Sequence, residues 1–415
     1  MKGYPGDGGR PLDVCFLLEG TYPYIRGGVS SWVHQMLAEA PGLTCGLFFI
    51  GSTRAEAKEC AYEIPPNVRR LEEVFLFDEF PSEELETGSL RKSELEEIFE
   101  KQREIYLTAD SEKRVERFWE WMERLDRCDK PVTFGDLTRS GPGWELLRAV
   151  VERYLPGEPF TAAYYTWIYL HAPVWKLLRA RDRIPAARVY HSLCTGYAGL
   201  AGSIAARSTG GSLLISEHGV YVKERIEEIN QANWIHDAGD DFPRIDAGLA
   251  PLKRSWVEMF QFLGRLAYDE AKTVTTLFSR NRDLQIEFGC PAGKLRIIPN
   301  GIDPDRYKDA RHKRLQRLER EAPRTVGFIG RVVSIKDVKT LIRAMDNARR
   351  IMPDIRLRLI GPTDEETAYF LECEKMIDLL NLEGVISIEG RQNVLEVIDG
   401  IDVMVLTSIS EVFLS

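Results

Sequence analysis

The chain has 415 residues, 44% of them hydrophobic, with eight Trp and fifteen Tyr, enough for two domains with substantial cores and without the composition of a disordered chain. Its formal charge of -9 argues against a nucleic-acid partner. Seven cysteines stand singly at 15, 45, 60, 128, 194, 290 and 373, an odd number without CxxC spacing that fits reduced thiols in a cytoplasm better than a disulfide framework or a zinc site.

The first ten residues, MKGYPGDGGR, are polar and Gly-rich, unlike a secretory signal, and no apolar run approaches the ~20 residues that span a bilayer. The expectation is a soluble cytoplasmic protein, with room for peripheral attachment at the inner face of the cell membrane. Leu12 to Leu18 reads as a strand, Glu19 to Arg26 as an aromatic loop, and Gly27-Gly28-Val29 as the opening of a helix to about Ala40 that turns Trp32, Val33, Met36 and Leu37 inward. A glycine pair there lets backbone approach a ligand closely, although a plain turn accounts for it as well. Leu43 to Ile50 is the next strand. From Thr53 to about Ala180 the alternation lapses into a mostly helical insertion whose acidic runs read as solvated faces.

Alternation returns with strands at Ala187 to His191, Ser212 to Ser216, Thr273 to Thr276 and Leu295 to Ile298, and with helices at Thr195 to Arg207, Trp256 to Ala271 and Ser279 to Phe288. Tyr221, Lys223 and Arg225 are placed in a loop. Residues 306–323 are basic and polar, as in a linker or linking helix. A second alternating run follows, with strands at 325–329, 355–360, 385–388 and 402–406. The fold class expected is α/β, with two doubly wound, Rossmann-like domains facing each other across a cleft: 1–305, carrying the insertion, and 324–415.

In RTVGFIGRVVSIKD, a buried strand ends at Gly330 in a loop that holds Arg331 and Lys336, and a helix follows with Val338, Leu341, Ile342 and Met345 on one face. The carboxyl end of a parallel strand beside a helix N-terminus favours anions, and a guanidinium fork next to an ammonium suits a diphosphate. Two solvated surface charges would read the same way. His191 and His218 each lie just past a strand, placed to orient a sugar hydroxyl or move a proton, or simply to cap a strand end. HExxH, CxxC, Walker A, GxSxG and GxGxxG patterns are absent, which leaves a catalytic metal, a serine hydrolase and a nicotinamide enzyme without support.

EGTYPYIRGGVSSWVHQ, YHSLCTGYAG, SEHGVY, IIPNGID and GFIGRVVSIKD together resemble the retaining GT-B glycosyltransferases of family 4, and more narrowly the PelF group associated with Pel exopolysaccharide synthesis from UDP-glucose. The resemblance spans nearly the whole chain; its opening EGTYPY and GGVSSWVH are the most specific part. It implies UDP-glucose as donor substrate, no metal or other cofactor, a polysaccharide or oligosaccharide acceptor, and association with a membrane polysaccharide synthesis complex. By position, Arg331 and Lys336 match the cation pair on the donor diphosphate, Gly27 and Gly28 the glycine loop near donor phosphate and acceptor, and His191 the histidine near the transferred sugar. His218 matches the histidine after the following strand. Asn300 falls in the hinge signature, where a turn role is an equal alternative. Glu389, Gly390 and Arg391 lie where backbone meets the nucleobase.

Glu411 matches the first member of a glutamate pair seven residues apart, after which the sequence reads VFLS and ends. The resemblance thus implies a shortened donor domain without the second glutamate and its helix, with apolar strand surface left exposed. Two other readings stand beside the transferase: a noncatalytic acceptor-binding or scaffold subunit of a polysaccharide synthesis complex, and a sugar-nucleotide epimerase of the same outline.

Overall fold

The computed structural model describes residues 10–409 except 56, 58, 233, 236–249, 302 and 319–323. The chain forms two compact units, residues 1–299 and 300–415. The division falls ahead of the expected boundary at 305. Each unit is an α/β layer structure built on a parallel sheet.

The first unit holds seven strands: β1 (Leu12–Glu19), β2 (Cys45–Gly51), β3 (Val68–Phe75), β4 (Ala187–Ser192), β5 (Ser212–Glu217), β6 (Thr273–Thr276) and β7 (Leu295–Ile297). Their order is β3-β2-β1-β4-β5-β6-β7, all parallel, so the winding reverses between β1 and β4, where Phe16 pairs with His191 and Leu17 with Ser192. A ligand crevice at the carboxyl edge is a property of such switch points. Alternate residues of the central strands feed two cores: Cys15, Leu17, Phe48 and Ile50 on one face, Phe16, Leu18, Leu47 and Phe49 on the other.

Two sequence readings need correction here. The helical insertion contains a strand, β3, whose VRRLEEVF carries four charges because it lies at the sheet edge, where one side meets solvent. Tyr221, Lys223 and Arg225 lie on a helix, Tyr221–Gln231, that buries Tyr221, Val222 and Ile229 on one face. Among the described residues the rest of the insertion is mostly helical. Asp110 caps Ser111–Asp126 through the amides of Glu112 and Lys113, and a capping box between Thr133 and Asp136 starts Phe134–Arg139. Lys92–Leu107 buries Leu95, Ile98, Phe99, Gln102 and Ile105 and turns its glutamates outward.

The second unit has β8 (Thr325–Ile329), β9 (Arg356–Ile360), β10 (Ile386–Gly390) and β11 (Val403–Met404) in the parallel order β10-β9-β8-β11, reversing between β8 and β11. The helix Val338–Ile351 buries Val338, Leu341, Ile342 and Met345 against Phe328, Leu357 and Leu359, the face that its periodicity predicts. The ladder of β11 covers two of the five residues expected; beyond it Val405 N still donates to Gly327 O. Ile388, Val403, Met404 and Leu406 stay exposed. Part of the expected linker is a helix, Lys308–Leu318, held to its own unit where Arg314 reaches the carbonyl of Asp402 and Arg317 reaches its carboxylate. Asp402 also accepts from the amides of Arg324 and Thr325, both at 2.8 Å, and so fixes the start of β8.

Candidate active site

At the switch point of the first unit, His191 lies within β4, paired with Phe16, and not just past the strand as expected, whereas His218 does follow β5; Trp32 from the helix Gly28–Glu39 stands against both. Its ring meets His218 edge-on at 4.7 Å and His191 at 6.0 Å; Phe16 lies 5.2 Å from His191 on the other side. Nε2 of His191 is 2.8 Å from Ser216 Oγ, which accepts from Thr275 Oγ1 at 2.7 Å. That relay leaves the Ser216 hydroxyl hydrogen for the imidazole and suits a neutral ring. Burial, and next the neighbouring His218, lower the His191 pKa to about 4; burial also lowers that of His218. Near neutral pH both rings are uncharged and can orient a hydroxyl. They cannot supply a cation.

Beneath these rings lies a carboxylate that the sequence reading passed over. Glu217 is 1% exposed and accepts four hydrogen bonds: Thr195 Oγ1 at 3.1 Å, Tyr221 N at 3.1 Å, Tyr268 Oη at 2.6 Å and Gln285 Nε2 at 2.8 Å. Burial raises its pKa while those donors pull it down. Glu19, at the end of β1, takes the Tyr221 hydroxyl at 2.6 Å and the Ala198 amide at 3.1 Å. Gly196 makes this approach possible, since a Cβ there would sit 2.2 Å from the Tyr221 ring. The signal available in the sequence was SEHG itself, an acid and a histidine side by side at a strand end.

Gly27 and Gly28 open the helix that carries Trp32. A Cβ on either would meet nothing within 4 Å, so the packing of the chain itself does not demand glycine there.

In the second unit, Arg331 and Lys336 lie on the loop between β8 and the helix Val338–Ile351, again at the winding reversal. The loop is held from both sides. Val332 N donates to Pro362 O at 2.9 Å and Ser334 N to Glu366 Oε2 at 3.0 Å; Thr407 Oγ1 donates to Lys336 O at 3.0 Å and Ile409 N to Ile335 O at 2.9 Å. Gly361 passes so close that a Cβ on it would stand 1.9 Å from Gly330 O, and its φ of +150° is itself a glycine conformation. Arg331 is exposed and donates to Glu365 Oε2 at 2.9 Å. Asp337 caps the helix through Thr340 N at 3.3 Å. Carboxylates therefore already meet part of this loop's positive potential.

Glu389 forms a bidentate pair with Arg358 at 2.7 and 2.8 Å, which holds its pKa below the usual carboxylate range. Its side chain thus braces β10 against β9. Gly390, at φ +64°, presents its carbonyl to Gly361 N at 2.8 Å; Arg391 is exposed. Arg331, Lys336, Gly390 and Arg391 consequently share the carboxyl edge of one sheet, and Gly28, His191 and His218 share that of the other. Asn300 is partly exposed at the start of the second unit. Glu411 lies outside the described residues. Among the described residues no group of three or more His, Cys, Asp or Glu could hold a metal ion, and no helix is long and apolar enough to cross a membrane.

No curated protein matches the chain. Residues 12–293 match the family model described as a domain of unknown function, DUF3492. The chain belongs to the DUF3492 family. Residues 309–413 match a second model, glycosyl transferases group 1, so a DUF3492 region precedes a glycosyltransferase domain on one chain. Among solved structures, Anabaena Alr3699/HepE in complex with UDP is 13% identical with a TM-score of 0.50, covering 96% of this chain and 75% of that one. Sucrose-phosphate synthase (tll1590) from Thermosynechococcus elongatus is 15% identical with a TM-score of 0.49, covering 97% and 77%. The parallel sheets of seven and four strands in this DUF3492 protein are those of two Rossmann-like domains of the GT-B kind.

Proposed function

We propose that this chain is a PelF-like retaining glycosyltransferase of family 4 that moves glucose from UDP-glucose to a growing polysaccharide. The observation that carries the reading is the loop of Arg331 and Lys336 at the winding reversal of a unit that matches glycosyl transferases group 1. In this reading Arg331 and Lys336 clasp the diphosphate, and the backbone at Glu389, Gly390 and Arg391 meets the uracil. The loop at Gly27 and Gly28 lies against donor phosphate and acceptor, His191 and His218 orient sugar hydroxyls, Asn300 serves the hinge, and Glu411 binds the donor.

The bond between the anomeric carbon and the β-phosphate oxygen breaks as the acceptor oxygen bonds the same face of that carbon. The acceptor proton leaves with the departing UDP or to solvent. Charge builds on the diphosphate, so the two cations contribute most of the stabilisation, on the order of 10²–10³-fold in rate for each well-placed donor. Metal is not required in this scheme. The protein would work at the inner face of the membrane with the complex that exports its product.

The test is turnover of UDP-glucose with an oligosaccharide acceptor, following UDP release and the anomeric configuration of the product by NMR. An α-linked product, lost in Arg331→Ala and His191→Ala, supports the reading. UDP-dependent binding of acceptor without turnover would favour the scaffold reading, and an epimerised nucleotide sugar formed without acceptor would favour the epimerase.

A further inference from the structure

We propose that Ser216 and Thr275 are positioning residues that lock His191 as the tautomer protonated on Nδ1, so that the ring donates a hydrogen bond from Nδ1 to an oxygen of the sugar being transferred. The substrate in this proposal rests on the transferase reading; its geometry rests on the first unit alone. Ser216 lies near the carboxyl end of β5 and Thr275 near that of β6, opposite each other in the parallel pairing. His191 of β4 pairs with Leu214, two residues before Ser216, so the three side chains fall on one face of three adjacent strands.

Counting hydrogens along that row fixes the tautomer, because each hydroxyl has one hydrogen to give. Thr275 Oγ1 gives its own to Ser216 Oγ at 2.7 Å; the other acceptor in its reach, the carbonyl of Ile215, stands at 3.4 Å, outside the range of a good O-H···O bond. Ser216, itself buried, is then left to donate, and its acceptor is Nε2 of His191 at 2.8 Å. An Nε2 that accepts carries no hydrogen. Burial, and next the neighbouring His218, hold the pKa of His191 down to about 4, so near neutral pH the ring has a single hydrogen, and it sits on Nδ1. Among the described residues Nδ1 of His191 has no hydrogen-bond partner, yet it retains accessible surface, whereas Nε2 of His218 is fully enclosed. The rings of Phe16 and Trp32 flank the imidazole at 5.2 and 6.0 Å and offer it no competing oxygen. What the edge presents is a neutral, oriented N-H donor, which suits an uncharged sugar oxygen rather than a phosphate.

Long-range proton–nitrogen NMR of the full chain with isotopically labelled histidine reads the tautomer directly. Near neutral pH the ring signals of His191, identified as those that His191→Gln removes, should show hydrogen on Nδ1 and a bare Nε2. Ser216→Ala removes the donor and should move these signals towards the Nε2-H form or a mixture of the two. The same variant should lower kcat for transfer from UDP-glucose about three- to tenfold, the contribution of one hydrogen bond, with affinity for UDP within about twofold of the parent. Thr275→Val should act in the same direction with a smaller loss, and Thr275→Ser should restore the parent tautomer and rate. Three results would overturn the proposal: a parent ring protonated on Nε2, a tautomer unmoved by both Ser216→Ala and Thr275→Val, or an unchanged kcat in a Ser216→Ala chain whose tautomer has shifted. A parent chain without turnover would count against the transferase reading, and the tautomer with its response to Ser216→Ala would then decide the relay by itself.

Discussion

The two carboxyl edges differ in what holds them. In the first unit the groups at the winding reversal are part of the core: His191 and His218 are 7% and 9% exposed, and Glu217 beneath them has every oxygen engaged by neutral donors. In the second unit Arg331 is 54% exposed and ion-paired on a surface loop, and its partner Glu365 is 40% exposed. One edge is shaped before any ligand arrives. The other is a set of charges whose arrangement a ligand could change. The contrast follows from the chemistry of the groups, since a neutral hydrogen-bonded network survives burial, whereas unpaired cations do not.

Breaking the buried edge should have the largest effect. Glu217→Ala leaves four donors buried without an acceptor, and a loss of roughly 3–5 kcal/mol is expected in urea unfolding followed by tryptophan fluorescence. A loss below about 1 kcal/mol would show that the network relaxes easily and that the first edge is no more rigid than the second. Tyr268→Phe removes one of the four hydrogen bonds to Glu217 and should cost less, about 0.5–1.5 kcal/mol.

Acidity sharpens the same contrast. The pKa of His191 is lowered to about 4 in the folded chain, whereas the unfolded chain binds its proton near 6.5. Between these values the unfolded state holds more protons, so the stability of the buried edge is full above about pH 6.5 and is lost progressively as pH falls towards 4. His171, likewise buried and lowered to about 4, adds to the slope. His191→Gln should flatten the dependence of unfolding midpoint on pH; an unchanged slope would mean that His191 is not buried neutral. The smallest effect belongs to the exposed edge. Glu365→Gln should leave stability within about 0.5 kcal/mol, because an exposed pair is worth little, yet raise affinity for UDP a few-fold by freeing Arg331.

The sequence was most legible where side chains repeat with a clear period. The buried faces of Gly28–Glu39 and Val338–Ile351, and most strands of both sheets, follow from apolar spacing alone. It was least legible where an element lies at an edge or where a role depends on distant partners. β3 escaped notice because Arg69, Arg70, Glu72 and Glu73 hide its alternation, and an edge strand tolerates them. The helix Tyr221–Gln231 did carry a signal, in the spacing of Val222, Ile226 and Ile229, but the SEHG turn before it drew the reading towards a loop. Glu217 could be seen at a strand end; its four donors come from positions 195, 221, 268 and 285, which no local pattern joins. Glu389 shows the reverse case, a strand-end acid whose side chain turns out to brace Arg358.

The central claim is that the loop of Arg331 and Lys336 binds a nucleotide diphosphate. Calorimetric titration of the full chain with UDP and UDP-glucose, beside Arg331→Ala and Lys336→Ala, tests it directly. The account predicts saturable binding to the parent chain and its loss in both variants, with unfolding curves unchanged. A folded parent chain that binds neither nucleotide, or binding that survives both substitutions, would contradict it.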